Sequence, residues 1–327
     1  MAFWKRATRV FALLVIAGCW SRDAWAQDKL KIAVGMHGNW EDAAPELGSR
    51  AGIFKKHGME LELLYTGGAG GALQAVISGS VDMGVGVGTA GVMAAFLRGA
   101  PVRIIGSATT GTKDIYWYVK SDSPIKSLKD ARPNTTIAYS SAGAATNFFV
   151  NGLLKTYNIE ARPTATGDMQ ATLTQVMTGQ VDVGFAAPPM GLKQVEEGAI
   201  RIVARASDIP STRDQTVRAI IVNANKLAKD PQLIAKFMQA YAESVDLMYS
   251  DPAALKEYER YSGTPERLTR KVMSEFYTKD MLDPYRMSGL QALMDDAVTF
   301  KFLKQPLDAA QLKELLQVPQ RASGKAN

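Results

Sequence analysis

The chain has 327 residues, 46% hydrophobic and 21% charged, with a formal net charge of +6 and a single cysteine. It is long and apolar enough to bury the cores of two domains. Four basic residues and one acidic residue precede Gln27, leaving 34 basic against 31 acidic in the remainder, or +3. That excess is too small for a polyanion-binding surface, and no basic stripe with interleaved aromatics occurs, so nucleic-acid binding is excluded.

The first 26 residues carry Lys5, Arg6 and Arg9, an apolar run from Val10 to Gly18, and then Ala24-Trp25-Ala26. This order reads as a secretory signal, with a run too short to span a bilayer. Cleavage after Ala26 and export to the periplasm are expected. Ile16-Ala17-Gly18-Cys19 looks like a lipobox and makes lipidation at Cys19 the alternative. Because Cys19 is the only cysteine, disulfides, thiolate metal sites and cysteine nucleophiles are excluded from the mature chain.

Beyond the leader, "LKIAVGM" from Leu30 predicts a first strand, and a chain-long repetition follows. "LQAVISGSVDMGV" begins at Leu73 and "LTQVMTGQVDVGF" at Leu173, one hundred residues apart. Leu73, Val76 and Ile77, matched by Leu173, Val176 and Met177, fall at helical spacing, and Gly79 and Gly179 supply left-handed stops. The apolar runs after them are too continuous for half-wet strands and predict strands covered on both faces, as in a parallel sheet. Asp82 and Asp182 stand at the starts of these strands, where a carboxylate satisfies backbone donors at a turn.

The register extends upstream: Ile53 to Glu60 aligns without a gap on Leu153 to Glu160, and Thr66-Gly67 on Thr166-Gly167. With "VRIIGSA" from Val102, "TTIAYSS" from Thr135 and "IRIVARA" from Ile200, the pattern is four strands with intervening helices, twice, hence two α/β lobes.

Quoted together, "KIAVGMHGNWEDAAPELGSRAGIFKKHGMELEL" and "GGAGGALQAVISGSVDMGVGVG" resemble the periplasmic substrate-binding proteins of ABC importers, in the nitrate/sulfonate/taurine group with its NMT1/THI5-like relatives. The resemblance runs from about Leu30 to Pro252. It implies a type II periplasmic binding protein fold: two lobes, each a mostly parallel sheet flanked by helices, joined by two crossing strands, with a solute clamped between them. Strands predicted at Ile115 to Val119 and Thr216 to Asn223 fit the positions just after each crossing. Lobe one is then expected over residues 27–111 and 216–327, and lobe two over 112–215. The helical pattern after Pro231 is expected to pack on lobe one.

In such a sheet the ligand crevice lies beyond the carboxyl ends of the strands, where helix N-termini converge. On lobe one this selects His37, Asn39 and Trp40, then Gly67 and Gly68, then Gly88 and Thr89. On lobe two it selects Ser140, Ser141 and Gly143, then Asp168, then Pro188. Small residues admit a backbone N–H to the ligand, hydroxyls bind or cap, and Trp40 is expected to form an aromatic wall opposite Ser140 and Ser141. Glu41 and Asp168 at the mouth oppose an anion.

The resemblance implies a small organic solute of the sulfonate, carboxylate or heterocycle class, a membrane permease as partner, and a monomer with neither cofactor nor metal. No phosphate-binding loop or dinucleotide fingerprint occurs, and two His without HExxH speak against a zinc hydrolase. The alternatives are a ligand-sensing partner of a membrane receptor, a TAXI-type transporter binding protein, and a THI5-like pyrimidine-synthesis enzyme, whose cysteine-rich motif is absent here.

Overall fold

The computed structural model describes residues 27–321; the expected signal segment, with its cleavage point and Cys19, lies outside the described residues. Among the described residues, ten strands form in chain order: β1 (Asp28–Val34), β2 (Met59–Tyr65), β3 (Met83–Gly88), β4 (Val102–Thr110), β5 (Tyr116–Lys120), β6 (Thr136–Tyr139), β7 (Arg162–Ala165), β8 (Gly184–Ala186), β9 (Ile200–Arg205) and β10 (Thr216–Asn223). The first sheet has the order β2-β1-β3-β10-β4. β5 lies between β8 and β9, and β6 pairs with β7. Val183, just ahead of β8, exchanges hydrogen bonds with Ala138 N (2.8 Å) and Thr136 O (3.0 Å), which joins these strands as β7-β6-β8-β5-β9. The two orders are the same, element for element, so the sequence repeat is a repeat of sheet topology and the fold is the two-lobed one expected.

Each sheet departs from purely parallel pairing at one strand. β10 runs antiparallel to β3 and β4, and β5 antiparallel to β8 and β9. These are the strands that follow the crossings. A chain leaving one sheet at its cleft end enters the other sheet at its cleft end and must run the opposite way.

The helices that follow the loops end where the pattern placed them. Helix Ala69–Ser78 stops at Gly79 with φ +74°, and helix Met169–Met177 is followed by Gly179 with φ +77°. All six residues of β3 and all eight of β10 are buried, which accounts for their unbroken apolar run, with Arg218 as the exception discussed below.

Asp82 and Asp182 are stitches at the ends of the sheets remote from the cleft. Asp82 Oδ2 accepts from Lys31 N of β1 at 2.9 Å, while Asp82 N donates to Lys31 O at 2.8 Å. Asp182 Oδ2 accepts from Thr136 N of β6 at 2.8 Å and from Thr136 Oγ1 at 2.7 Å. A charge-assisted bond of this kind stabilises by about 1.5–3 kcal/mol. Asp182→Asn keeps one acceptor and should cost roughly 1–2 kcal/mol. A thermal melt should record a drop of a few degrees in Tm with solute affinity unchanged, and loss of affinity in a folded variant would place the cleft at the other end of the sheets.

The C-terminal helices do not pack on lobe one alone. Helix Pro231–Ser250 does pack there, Phe237 stacking on Phe54 at 5.6 Å. Further on, Arg267 and Lys271 pair with Glu196 of lobe two, and Phe300 and Phe302 meet Phe148 of lobe two at ring-centroid distances of 4.9 and 5.6 Å. The last helices bridge the lobes because Phe300 and Phe302 lie past the end of helix Leu290–Thr299, and the aromatic face of Phe148 covers their apolar surface.

Candidate functional site

The lobes close on a cavity of about 40 Å³ at the carboxyl ends of the strands. Lobe one lines it with Met36, Asn39, Glu41 and Asp42; lobe two with Ser140, Thr146, Met169 and Phe185; the crossing passages add Ile115 and Arg218. That volume holds a few waters, so an organic solute requires the lobes to separate further. A larger groove of about 880 Å³ runs outside, between helix Ala145–Tyr157 and the segment 299–302. It is open to solvent and lined by surface residues such as Arg98 and Lys155.

The loop after β1 is held by the C-terminal helices. Trp40 is 0% exposed, its ring edge-on to Tyr258 at 4.7 Å, and its Nε1 donates to Tyr249 Oη at 3.0 Å. Tyr258 Oη donates to Gly38 O at 2.8 Å, and Gly38 N donates to Tyr261 Oη at 3.1 Å. The expectation that Trp40 forms a wall of the cleft is therefore corrected. An aromatic in a loop must be covered by something, and here the covering surface is the C-terminal helices, which leave the next two residues, Glu41 and Asp42, turned into the cavity.

Around those two lies a buried charge cluster. Glu41 Oε1 accepts from Asn39 Nδ2 at 3.1 Å, and Glu41 Oε2 accepts from Thr109 Oγ1. Arg218 Nε lies 2.7 Å from Glu41 Oε2, an ion-pair contact in which the N–H is not aimed at the oxygen. Arg218 Nη2 donates to Asp114 Oδ2 at 2.6 Å, and Tyr277 Oη donates to the same oxygen at 3.1 Å. Two carboxyl groups, Glu41 and Asp114, thus share one guanidinium, and Asp42 adds a third carboxyl nearby. Burial, opposed by Arg218 and reinforced by Asp114, pushes the Glu41 carboxyl up to about 7. Burial and then the Glu41 charge raise Asp42 well above the usual carboxylate range. Burial works to lower the Arg218 pKa, but Asp114 and Glu41 outweigh it and hold the guanidinium charged.

Of the other residues selected from sequence, Asn39 and Ser140 line the cavity, and Ser140 pairs with Thr146 through a 2.9 Å hydroxyl contact. The rest are placed otherwise. His37 is exposed, its ring against Tyr261 at 4.5 Å and Tyr65 at 4.9 Å. Gly67 faces open space, and Asp168 is an exposed cap whose Oδ1 accepts from Ala171 N at 2.7 Å. Thr89 is buried with its Oγ1 unpartnered, beside a separate void of about 10 Å³. Pro188 is buried and does not line the cavity.

Gly68, Gly88, Ser141 and Gly143 form the contact between the lobes. Ser141 Oγ accepts from Gly70 N at 3.1 Å, and a Cβ on Gly68 would lie 3.5 Å from that oxygen. A Cβ on Gly88 would lie 2.7 Å from Gly143 O, and one on Gly91 2.1 Å from it. Small residues at these strand ends let backbone approach backbone across the cleft, where backbone-to-ligand approach was expected.

Asp42, Asp114 and Arg218 are the residues that sequence reasoning did not single out, and Glu41 was placed only at the mouth as a charge opposing an anion. The available signal was Arg218 inside the apolar run "TVRAIIVN", since an arginine buried in a strand requires an acidic partner.

Comparisons bear on what such a cleft serves. The family model described as NMT1/THI5 like matches residues 47–255. Among curated proteins, 4-amino-5-hydroxymethyl-2-methylpyrimidine phosphate synthase THI5 of Saccharomyces cerevisiae is 24% identical over 65% of this chain, and the chain spans 65% of that protein's length. The synthase of the same name from Aspergillus parasiticus is 24% identical over 78% of each chain. Among solved structures, the alkanesulfonate-binding protein SsuA from Xanthomonas axonopodis pv. citri bound to MOPS superposes with a TM-score of 0.72 at 16% identity, covering 89% of this chain and 98% of that one. At such identity the likeness is one of fold.

Proposed function

The chain belongs to the NMT1/THI5-like family, and from that premise we propose that it is the solute-binding component of an ABC-type import system, taking a small organic solute between its lobes and delivering it to a membrane permease. The observation that carries this reading is a cavity lined at once by lobe one, lobe two and both crossing passages. A ligand there contacts everything that moves when the lobes close, so its differential affinity shifts the open–closed equilibrium. Action as an exported monomer belongs to the same proposal.

The synthase relatives carry the enzymatic alternative. The cavity offers it little: His37 and His57 both lie elsewhere, and the Ser140 hydroxyl is engaged with Thr146. Among the described residues no group of three or more His, Cys, Asp or Glu is placed to hold a metal ion.

A thermal-shift screen of the purified protein against anionic, neutral and cationic small molecules, followed by calorimetry, tests the reading. A solute at one hundred times its Kd adds about 2.7 kcal/mol of stability, several degrees in Tm. The expected result is one chemically coherent group of saturable ligands recovered unchanged after incubation. Conversion of a hit to product, or no saturable ligand of any charge, would overturn it.

A further inference from the structure

Helix Ala145–Tyr157 buries Phe148, Phe149 and Leu153 and leaves its other face to the outer groove of about 880 Å³. Asn147, Asn151, Lys155 and Asn158 line that groove at helical spacing, as one stripe. At 1.5 Å per residue the stripe is about 16 Å long, the reach of about five residues of extended chain. Lobe one adds Arg98 and Gln74 to the lining, and the segment that bridges the lobes adds Lys301.

The charge of this groove has one sign. Arg98, Lys155 and Lys301 are exposed, and among the described residues none of the three forms a salt bridge. No Asp or Glu among the described residues lines it. Each cation stands at the C-terminal end of a helix: Arg98 after Thr89–Leu97, Lys155 in the last turn of Ala145–Tyr157, and Lys301 just beyond Leu290–Thr299. A full charge exceeds the half charge of a helix terminus, so the groove stays positive.

Lys301 is held against its backbone preference. Its φ is +66°, its N donates to Val298 O at 3.1 Å, and Phe302 N donates to Ala297 O at 2.7 Å. These bonds make a Schellman turn, whose left-handed position favours glycine. A lysine there gives up stability that glycine would keep, and its charge has no carboxylate partner within the chain to offset that loss.

We infer that the groove docks an acidic, extended segment of a partner protein, with carboxylates on Arg98, Lys155 and Lys301 and backbone amides on Gln74, Asn147 and Asn158. Side-chain amides match a peptide backbone, which offers a donor and an acceptor at each residue. A phosphodiester backbone offers acceptors alone. On the binding-protein reading the partner is the permease, but the test needs no solute.

The probe is a fluorescein-labelled hexapeptide of alternating glutamate and serine, read by fluorescence anisotropy at low and at physiological ionic strength. A lysine–serine hexapeptide with the same label is the control, and inorganic phosphate and hexathymidylate are unlabelled competitors. The expected result is saturable binding of the glutamate peptide only, weakened by salt. Arg98→Gln on lobe one and Lys155→Gln on lobe two should each weaken it by about two- to fivefold, the scale of an exposed ion pair. Lys301→Gly should weaken it by a similar factor with Tm unchanged or raised, because glycine relieves the turn; a lysine serving the helix end alone would leave peptide affinity as it is. Replacing Lys55, Lys236 and Lys256 together by glutamine removes as much charge from exposed positions outside the groove, and should change affinity by less than about twofold. The inference is overturned by an absence of saturable binding, equal binding of the lysine peptide, or an equal loss in the Lys55/Lys236/Lys256 variant. Loss confined to one lobe, unchanged affinity in Lys301→Gly, or displacement by phosphate or hexathymidylate at the peptide's own concentration would each overturn it as well. None of these outcomes touches the solute screen, so the binding-protein reading stands or falls separately.

Discussion

Arg218→Met is expected to destabilise the protein by roughly 3–5 kcal/mol at neutral pH, the cost of removing one partner from a buried ion pair. The methionine fills most of the volume, so packing is not the cause. What is lost is the one cation shared by Glu41 and Asp114, both buried, with Asp42 adding a third carboxyl nearby. The loss should also depend on pH. Because the folded-state pKa of Glu41 is raised to about 7 from an ordinary 4.5, its stabilising protonation is fully present below the unfolded value and is lost as pH rises through 7. Removing Arg218, which opposes the rise at Glu41 and Asp42, raises those two carboxyls further, so the variant should approach the wild type at pH 5 and fall furthest below it at pH 8. Urea unfolding at the two pH values measures this. Arg260→Ala, which breaks an exposed pair with Glu257, should by contrast change stability by less than about 1 kcal/mol. A variant at position 218 that stays within about 1 kcal/mol of wild type at pH 8 would show that solvent, rather than Arg218, balances the cluster.

Gly91→Ala should separate stability from function in opposite directions. Gly91 lies in helix Thr89–Leu97, where alanine in place of glycine favours the helix by up to about 1 kcal/mol. The same methyl group would sit 2.1 Å from Gly143 O of lobe two, nearer than a real Cβ contact, so the lobes cannot approach as they do here. If the ligand-free protein opens, the clash is avoided until closure, Tm does not fall, and solute affinity drops by about a hundredfold, or 2–3 kcal/mol, because lobe-two contacts are withheld from the bound state. If the lobes are fixed, the cost appears as a lower Tm without any ligand. Melting curves together with calorimetry on any solute from the screen decide between the two, and small-angle scattering of the variant should show a larger radius of gyration in the presence of solute than the wild type has.

Much of the fold was legible because the determinants are local. The repeat from Leu73 and Leu173, the helix stops at Gly79 and Gly179, and the strand at Thr216 to Asn223 depend on periodicity and on one residue's backbone freedom, which neighbours in sequence supply. Asp82 and Asp182 were legible as carboxylates that satisfy backbone donors where a strand begins, but their donors lie on the neighbouring strand, at Lys31 and Thr136, rather than in the local turn that was expected. The site was legible only as a set of loops at the right ends of the right strands, and of those loops Asn39 and Ser140 reach the cavity. Trp40 carried a real signal, a large aromatic in need of cover, but the cover came from Tyr249 and Tyr258, more than two hundred residues along the chain.

The sequence by itself determined two α/β lobes of repeated make-up, and it pointed to the loops after the strands as the place for a ligand, because hydrophobic periodicity and turn residues act over a few residues at a time. Only the tertiary structure decided what the cleft is made of. Glu41 and Asp42 come from the loop after β1, Asp114 from one crossing and Arg218 from the strand after the other, and their chemistry exists only once burial strips them of water and gathers three carboxyls around one guanidinium that pairs with two of them. Charge at that distance in sequence has no period to read; its meaning is set by the dielectric and the partners that folding brings around it.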